Sequence, residues 1–467
     1  MQTSNIDREW DVIIVGGGVV GCAVMRKFTL LGARVLLLER GGDILSGASK
    51  ANSAILHTGF DAPPASVELD CMKRGYEEFL SIHRHFNLPV LKTGAFVVAW
   101  DEAQLKALPG IVEKAHQNGI MNVREISVDA LYQQEPNLGK GALGAVSVPD
   151  ECVIDPWSTP LAYMTQAVEH GAKYEFHCEV THGEFNDDRW TLTTSKGDFR
   201  TKIVINCAGI NGDIVENICR PSPFTIHPRK GQFLVFDKSA AQSIDAIILP
   251  VPTAVTKGVL ISKTIFGNLL VGPTAEEQED RWHAAVSKPM LEDLKQQGTA
   301  LLPSLINHAV TATYAGLRPA TEYKDYQLSC VREKNWLCAG GIRSTGLTSA
   351  LGIAQVLAEL FEMHLNDKIQ CSPVQDIHWP KMPNLAQHLT RAYEQPDNGG
   401  VVCHCELVTQ SEIEAVFASS VPPECIGGLR RRTRVMMGRC NGFYCSSHVN
   451  KLIDQNIEQN LSVGDIL

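Results

Sequence analysis

Short apolar runs closed by glycine open the chain. Asp11-Val12-Ile13-Ile14-Val15 is a β-branched run, the pattern of a buried strand. It leads into Gly16-Gly17-Gly18-Val19-Val20-Gly21, and a helix-length stretch follows from Cys22 to Leu31, closed by Gly32. Arg34-Val35-Leu36-Leu37-Leu38-Glu39 then predicts a second strand. Much later, Thr201-Lys202-Ile203-Val204-Ile205-Asn206-Cys207-Ala208-Gly209 reads as another strand ending in small residues. The pattern predicts an α/β fold whose first unit is βαβ.

The first turn of that unit carries G-x-G-x-x-G, and an acid stands 18 residues after Gly21. Gly16 permits the tight turn, Gly18 lets backbone approach a pyrophosphate, and Gly21 lets helix and strand pack closely. The helix N-terminus offers free N–H groups and the positive dipole end. Glu39 is placed to accept hydrogen bonds from a ribose. The motif alone does not separate NAD from FAD. Its place near the N-terminus, and a later strand bringing Ala208 and Gly209 to the same ligand, add to the picture.

Composition narrows it further. The 467 residues suggest two or three domains. With 44% hydrophobic and 20% charged residues, the balance is that of a folded, ordinary protein. A net charge of −10 argues against a nucleic-acid binder. No apolar run reaches the ~18 residues of a membrane-spanning helix. Met1 to Glu9 lacks the apolar core of a signal peptide, so a cytoplasmic location is expected. There, 14 cysteines are not expected to form a disulfide framework.

The composition changes around Ile377–Asn384, and a turn at Asp397-Asn398-Gly399-Gly400 suggests a linker over 381–399. The region 400–467 is dense in cysteine. Cys403-His404-Cys405 is separated by 34 residues from Cys440, and Cys445 follows. A helical stretch from about Thr409 to Ser419 and a basic run, Arg430-Arg431-Arg432-Thr433-Arg434, lie between. Two thiol pairs suggest a metal site. Zinc favours C-x2–4-C spacings, which C-x-C fits poorly. C-x-C with C-x4-C resembles the [2Fe-2S] domain of bacterioferritin-associated ferredoxin type; zinc or a vestigial site remain alternatives. Cys425 reads as a buried thiol and not a ligand.

The βαβ unit, Ser46-Gly47-Ala48-Ser49 and Val204–Gly209 resemble the D-amino-acid-oxidase-like FAD oxidoreductases. Leu56-His57-Thr58-Gly59, Arg229-Lys230-Gly231-Gln232, Gly316-Leu317-Arg318-Pro319 and Gly340-Gly341-Ile342-Arg343-Ser344-Thr345-Gly346-Leu347 extend the likeness. Within that group they are similar to glycerol-3-phosphate dehydrogenases and oxidases, with L-2-hydroxyglutarate oxidases as near relatives. The tail, Val401–His448, resembles that of the anaerobic glycerol-3-phosphate dehydrogenase large subunit.

The resemblance implies a Rossmann-like FAD-binding domain interleaved with a mixed-sheet substrate domain over 1–380, followed by the linker and a small C-terminal [2Fe-2S] domain. It implies FAD contacts at Gly16, Gly18, Gly21, Glu39, Ser46, Ser49, Asn52, Ala208, Gly209, Gly341, Gly346 and Leu347. Cys403, Cys405, Cys440 and Cys445 would hold the cluster. His57 would be the base, Arg318 and Lys257 would hold a small anionic substrate, and Ser344 would donate a hydrogen bond to it. Arg343 stands near where some relatives place a lysine. Many of the dehydrogenases carry an arginine shortly after the histidine; here Phe60 and Asp61 follow, and Asp61 would repel a phosphate if it faced the pocket.

A flavin beside a one-electron cluster implies a dehydrogenase that passes electrons through partner subunits to a quinone. The protein itself would be cytoplasmic, held at the inner membrane through those partners. The competing expectations are a 2-hydroxy-acid dehydrogenase, an amine or opine dehydrogenase, and a non-catalytic electron-transfer subunit. In the last of these Arg318 would be dispensable.

Overall fold

In the computed structural model, residues 9–252 and 258–456 are described. Strands Lys173–Glu175, Val35–Leu38, Glu9–Val15, Gly197–Asn206 and Trp336–Gly340 lie parallel in that spatial order. Gln327–Val331 adds an antiparallel edge, and the hairpin Val180–Asn186/Arg189–Thr194 extends the early half of Gly197–Asn206. Alternate residues of the central strands face opposite layers. Val12, Ile14, Val35, Leu37, Ile203 and Ile205 enter the core shared with helices Val19–Leu30, Ser158–Glu169 and Gly346–His364. Ile13, Val15, Leu36, Leu38 and Val204 join Trp190 and Trp336 on the other side. Both faces are covered, which is why these strands read as continuous apolar runs and not as alternation.

The first helix starts at Val19, three residues before the sequence pattern places it. Gly21 therefore lies inside it. A methyl group there would stand 1.9 Å from the Gly16 carbonyl oxygen, so the helix can approach the strand end only with glycine. Helix Val67–Ile82 packs on Gly346–His364 with similar closeness, through Gly75 against Thr348 and Gly352 against Cys71.

A nine-stranded mixed sheet forms the second layer system. Its long antiparallel pair, His227–Phe236 and Val310–Ala320, sets Arg229 opposite Arg318 and Gly231 opposite Gly316. The pair crosses back to the first unit, where Gly316 lies against Ala51. Helix Glu102–Gln117 contributes Leu108 and Ala115 to one apolar layer of this sheet; helix Lys288–Leu301 contributes Leu294 to another.

Residues 381–399 run along the surface of the first unit. Met382 donates its N–H to the Phe86 carbonyl at 2.9 Å, and Trp379 packs on Phe86. The C-terminal residues build their own core from Val402, Val408, Ile413, Leu429, Val449 and Leu452. Thr409 caps helix Gln410–Phe417 reciprocally with Glu412. No helix among the described residues is long and apolar enough to cross a membrane.

The basic run faces inward. Arg432 makes a bidentate pair with Asp43, with Nη2 at 2.8 Å from Oδ1. Asp43 is 0% exposed and Arg432 3%. Arg431 donates to the Ile44 carbonyl at 3.0 Å. One residue on, the Leu45 N–H is donated to the Gly17 carbonyl, so this contact reaches the glycine turn. Breaking a buried pair from one side leaves an uncompensated charge and costs about 3–5 kcal/mol. Arg432→Ala is expected to speed amide exchange in 43–46 and 426–433 while the parallel strands keep their protection. A uniform change, or none, would show that the pair does not hold the two units together.

Candidate functional site

The order of the parallel strands reverses between Glu9–Val15 and Gly197–Asn206, and their C-terminal ends open there into a crevice. The mixed sheet roofs it, enclosing a cavity of about 1110 Å³. That is at the upper end of ligand pockets, which run from about 300 to 1,000 Å³. Gly16, Gly18, Glu39, Ser46, Ser49, Asn52, Ala208, Gly209, Gly341, Gly346 and Leu347 all line it. Gly21 does not; it packs against the strand end.

Glu39 accepts from Gly17 N–H at 2.6 Å and from Gly41 N–H at 2.7 Å. Burial pushes its carboxyl above the ordinary value, against these two donors. Ser49 Oγ accepts from Val19 N–H at 3.1 Å, and Asn52 closes its own turn through the Ser49 carbonyl. Ser46 Oγ donates to the Asp43 carbonyl. Helices Val19–Leu30 and Gly346–His364 both begin at the cavity, and neither N-cap residue caps its helix with a side chain. Their first N–H groups and positive dipole ends favour an anion there.

His57 enters from just beyond strand Ile55–Leu56. Its N–H is held by Thr348 Oγ1 at 3.0 Å, and its Nδ1 is 2.8 Å from Glu151 Oε2. No motif in the sequence points to Glu151. Its other oxygen accepts from the Thr58 N–H at 2.7 Å and the Thr58 hydroxyl at 2.9 Å.

Arg318 lines the same cavity, with its guanidinium laid over Gly231, where a methyl group would meet Nη2 at 2.6 Å. It has no carboxylate partner among the described residues; its one hydrogen bond there is to the Thr274 carbonyl at 3.4 Å. Burial, and then the neighbouring Arg229, push its pKa down to about 10, which leaves it charged at neutral pH. Arg229 itself pairs with Glu277. Ser344 is exposed at the cavity wall, and Arg343 beside it donates to the Lys324 carbonyl. Asp61 also lines the cavity. Lys257 lies outside the described residues.

Comparison with known proteins agrees with this layout. The family model for FAD dependent oxidoreductases (DAO) matches residues 11–360. The chain belongs to that family. It is 30% identical to a glycerol 3-phosphate dehydrogenase of Caloramator mitchellensis, over 96% of this chain and 94% of that protein. It is 26% identical to one of the subunits of the anaerobic glycerol-3-phosphate dehydrogenase of Escherichia coli (strain K12), over 95% of this chain and 88% of that one. The FAD-bound, dithionite-reduced L-alpha-glycerophosphate oxidase of Mycoplasma pneumoniae has the same fold. The TM-score is 0.75 at 23% identity, covering 81% of this chain and all of that one.

The cavity of this FAD-dependent oxidoreductase fits its cofactor. Backbone at Gly47 and Gly209 faces open space, where an added methyl group would meet nothing within 4 Å. The positive ends of two helices and the Glu39 carboxylate, held by the Gly17 and Gly41 N–H groups, supply what a pyrophosphate and a ribose require.

The C-terminal cysteines come together. The four sulfurs act on one another: Cys405 feels Cys440 and Cys403, and Cys445 feels Cys403 and Cys440. The Phe443 N–H donates to the Cys440 carbonyl at 3.0 Å, and nearby backbone N–H groups hold the Cys440 thiol below its ordinary pKa. Gly438 lies against Cys405, where a methyl group would be 2.2 Å from its Cβ. Among the described residues no group of three or more His, Cys, Asp or Glu closes round one point fit for a metal ion. Cys425 stands apart, with its sulfur capping helix Ile426–Thr433 through the Gly428 N–H.

Proposed function

We propose that this oxidoreductase oxidises glycerol 3-phosphate to dihydroxyacetone phosphate and passes the electrons through a [2Fe-2S] cluster in its C-terminal unit. The observation that carries the substrate half is Arg318, a cation without a carboxylate partner among the described residues, in the cavity that also holds His57. A guanidinium so placed fits a phosphate. His57 Nε2 takes the hydroxyl proton, Lys257 adds a second positive charge, and Ser344 donates a hydrogen bond to the substrate. FAD, when bound, supplies the acceptor for the hydride.

The second half rests on the cysteines and on coverage. C-x-C with C-x4-C suits a [2Fe-2S] site better than the C-x2–4-C pairs usual for zinc. The Caloramator mitchellensis dehydrogenase and the Escherichia coli anaerobic subunit match 96% and 95% of this chain, whereas the oxidase covers 81% of it. A chain of side-chain contacts also runs from the C-terminal unit to Lys50, between the cavity-lining Ser49 and Ala51. Glu406, next to Cys405, pairs with Arg434 at 2.9 Å, and Arg434 lies 4.1 Å over the Phe266 ring. Phe266 stacks on Trp157, whose indole N–H bonds the Lys50 carbonyl beside the cofactor loop. Companion subunits, one of them at the membrane, would carry electrons on to a quinone.

The absence of an arginine shortly after His57, where Phe60 and Asp61 stand, leaves a second reading, in which Arg318 holds the carboxylate of a 2-hydroxy acid such as L-2-hydroxyglutarate. The deciding experiment is a visible spectrum of the anaerobically purified protein, with metal analysis, before and after each substrate. Flavin bands with an iron–sulfur shoulder, bleached by glycerol 3-phosphate, are expected. Bleaching by L-2-hydroxyglutarate alone moves the assignment to the second reading. Zinc in place of iron removes the electron exit.

A further inference from the structure

We infer that Glu151 is a positioning residue for proton removal, fixing His57 in the tautomer that leaves Nε2 free to accept a proton. This rests on the reading of His57 as the base, and the test separates the two.

Glu151 is 0% exposed; its Oε1 accepts from the Thr58 N–H and the Thr58 hydroxyl, and its Oε2 lies 2.8 Å from His57 Nδ1. A carboxylate that accepts from Nδ1 requires the proton on Nδ1, which leaves the lone pair on Nε2. Nε2 has no hydrogen-bond partner among the described residues, and His57 lines the cavity. In the reaction the substrate O–H bond breaks and its proton goes to Nε2. The C–O bond becomes C=O as the hydride leaves the same carbon for the flavin. The imidazolium so formed has Glu151 2.8 Å from its other nitrogen, where the opposite charge offsets it. The two Thr58 bonds keep that carboxylate from rotating away.

The arrangement comes from strand register. Ile55–Leu56 pairs antiparallel with Cys152–Ile154, with Leu56 opposite Cys152, so the next residue on each side is His57 and Glu151. A buried ion pair that served stability alone would need no access to the cavity. Here the histidine ring is 20% exposed on the cavity side of a fully buried carboxylate.

The test is stopped-flow reduction of the holoenzyme by glycerol 3-phosphate, following the flavin bands in the FAD-loaded parent, Glu151→Gln, His57→Ala and the double variant. Fixing the tautomer of a catalytic histidine is worth up to about 10⁴-fold in a related arrangement. Glu151→Gln is expected to slow the limiting reduction rate at least about 10²-fold, with substrate Kd changed less than about threefold. In the His57→Ala background the same substitution is expected to change the rate less than about twofold, because there is no imidazole left to position. An equal loss in both backgrounds overturns the inference and makes Glu151 a structural brace. Fast reduction by His57→Ala overturns the reading of the base itself. A fast Glu151→Gln beside a slow His57→Ala overturns this inference alone. If Glu151→Gln does not retain FAD, Glu151→Asp serves instead. It keeps the charge on a shorter arm, is expected to slow reduction at least about tenfold, and overturns the inference if its rate is that of the parent.

Discussion

Arg318→Ala is expected to lower kcat/KM for glycerol 3-phosphate by about 10²- to 10³-fold. Removing one partner of a desolvated, hydrogen-bonded charge pair costs about 2–5 kcal/mol, and 1.4 kcal/mol is a factor of ten. Among the described residues the guanidinium has one long hydrogen bond, to the Thr274 carbonyl, which leaves N–H groups for a substrate anion. The loss should fall mainly on KM, because the anion is bound in ground state and transition state alike. Arg318→Lys keeps the charge but not the planar fork, and is expected to recover only part of the loss.

The sign of the stability effect is informative too. Burial and Arg229 hold the Arg318 pKa below its ordinary value, at about 10. The folded state therefore bears the cost of the charged form at all pH below about 10, and sheds it as pH rises through that value. Ligand-free Arg318→Ala is thus expected to melt no lower than the parent, while losing the rise in Tm that substrate confers. A variant that keeps kcat/KM, or that melts lower and keeps the substrate-induced rise, would place the anion elsewhere. A relay subunit without substrate chemistry predicts the first of these.

The parts of this site that can be read along the chain are those whose geometry is local. Gly16, Gly18 and Glu39 belong to one continuous strand–turn–helix–strand unit, where glycine spacing and apolar runs specify the backbone. The pattern places the helix start three residues late because it treats Gly21 as the end of a turn. In the fold Gly21 is the point of closest approach between helix and strand. Glu151 leaves no local trace. It is 94 residues from His57, and only the pairing of two very short strands sets it there. The arginine run shows the opposite limit. Its charge is evident in the sequence, but its direction is not, since the aspartate that buries Arg432 lies 389 residues earlier. Arg318 is found by motif, yet its lack of a carboxylate partner among the described residues, on which the proposal of an anion site rests, is a property of the roof and not of the motif.

Cys445→Ser is expected to abolish bound iron and the broad visible shoulder while leaving the flavin bands in place. Cys445 sits with Cys403 in the core of the C-terminal unit, so its loss removes one of the four proposed ligands. A [2Fe-2S] cluster requires four protein ligands, and a serine hydroxyl is a harder donor than the thiolate it replaces. The FAD cavity lies in the other unit, so glycerol 3-phosphate should still bleach the flavin at the parent rate. Transfer from the reduced enzyme to a one-electron acceptor should fall more than about tenfold, because the exit is gone while the entry is intact. Cys425→Ser is the matched control. Its sulfur accepts the Gly428 N–H at a helix N-terminus, a place where serine is a preferred cap, so iron content should not change. Iron lost from both variants would overturn the choice of Cys403, Cys405, Cys440 and Cys445 as the ligand set. Iron kept in Cys445→Ser removes that residue from the set, and parent-like transfer without iron removes the cluster from the electron path.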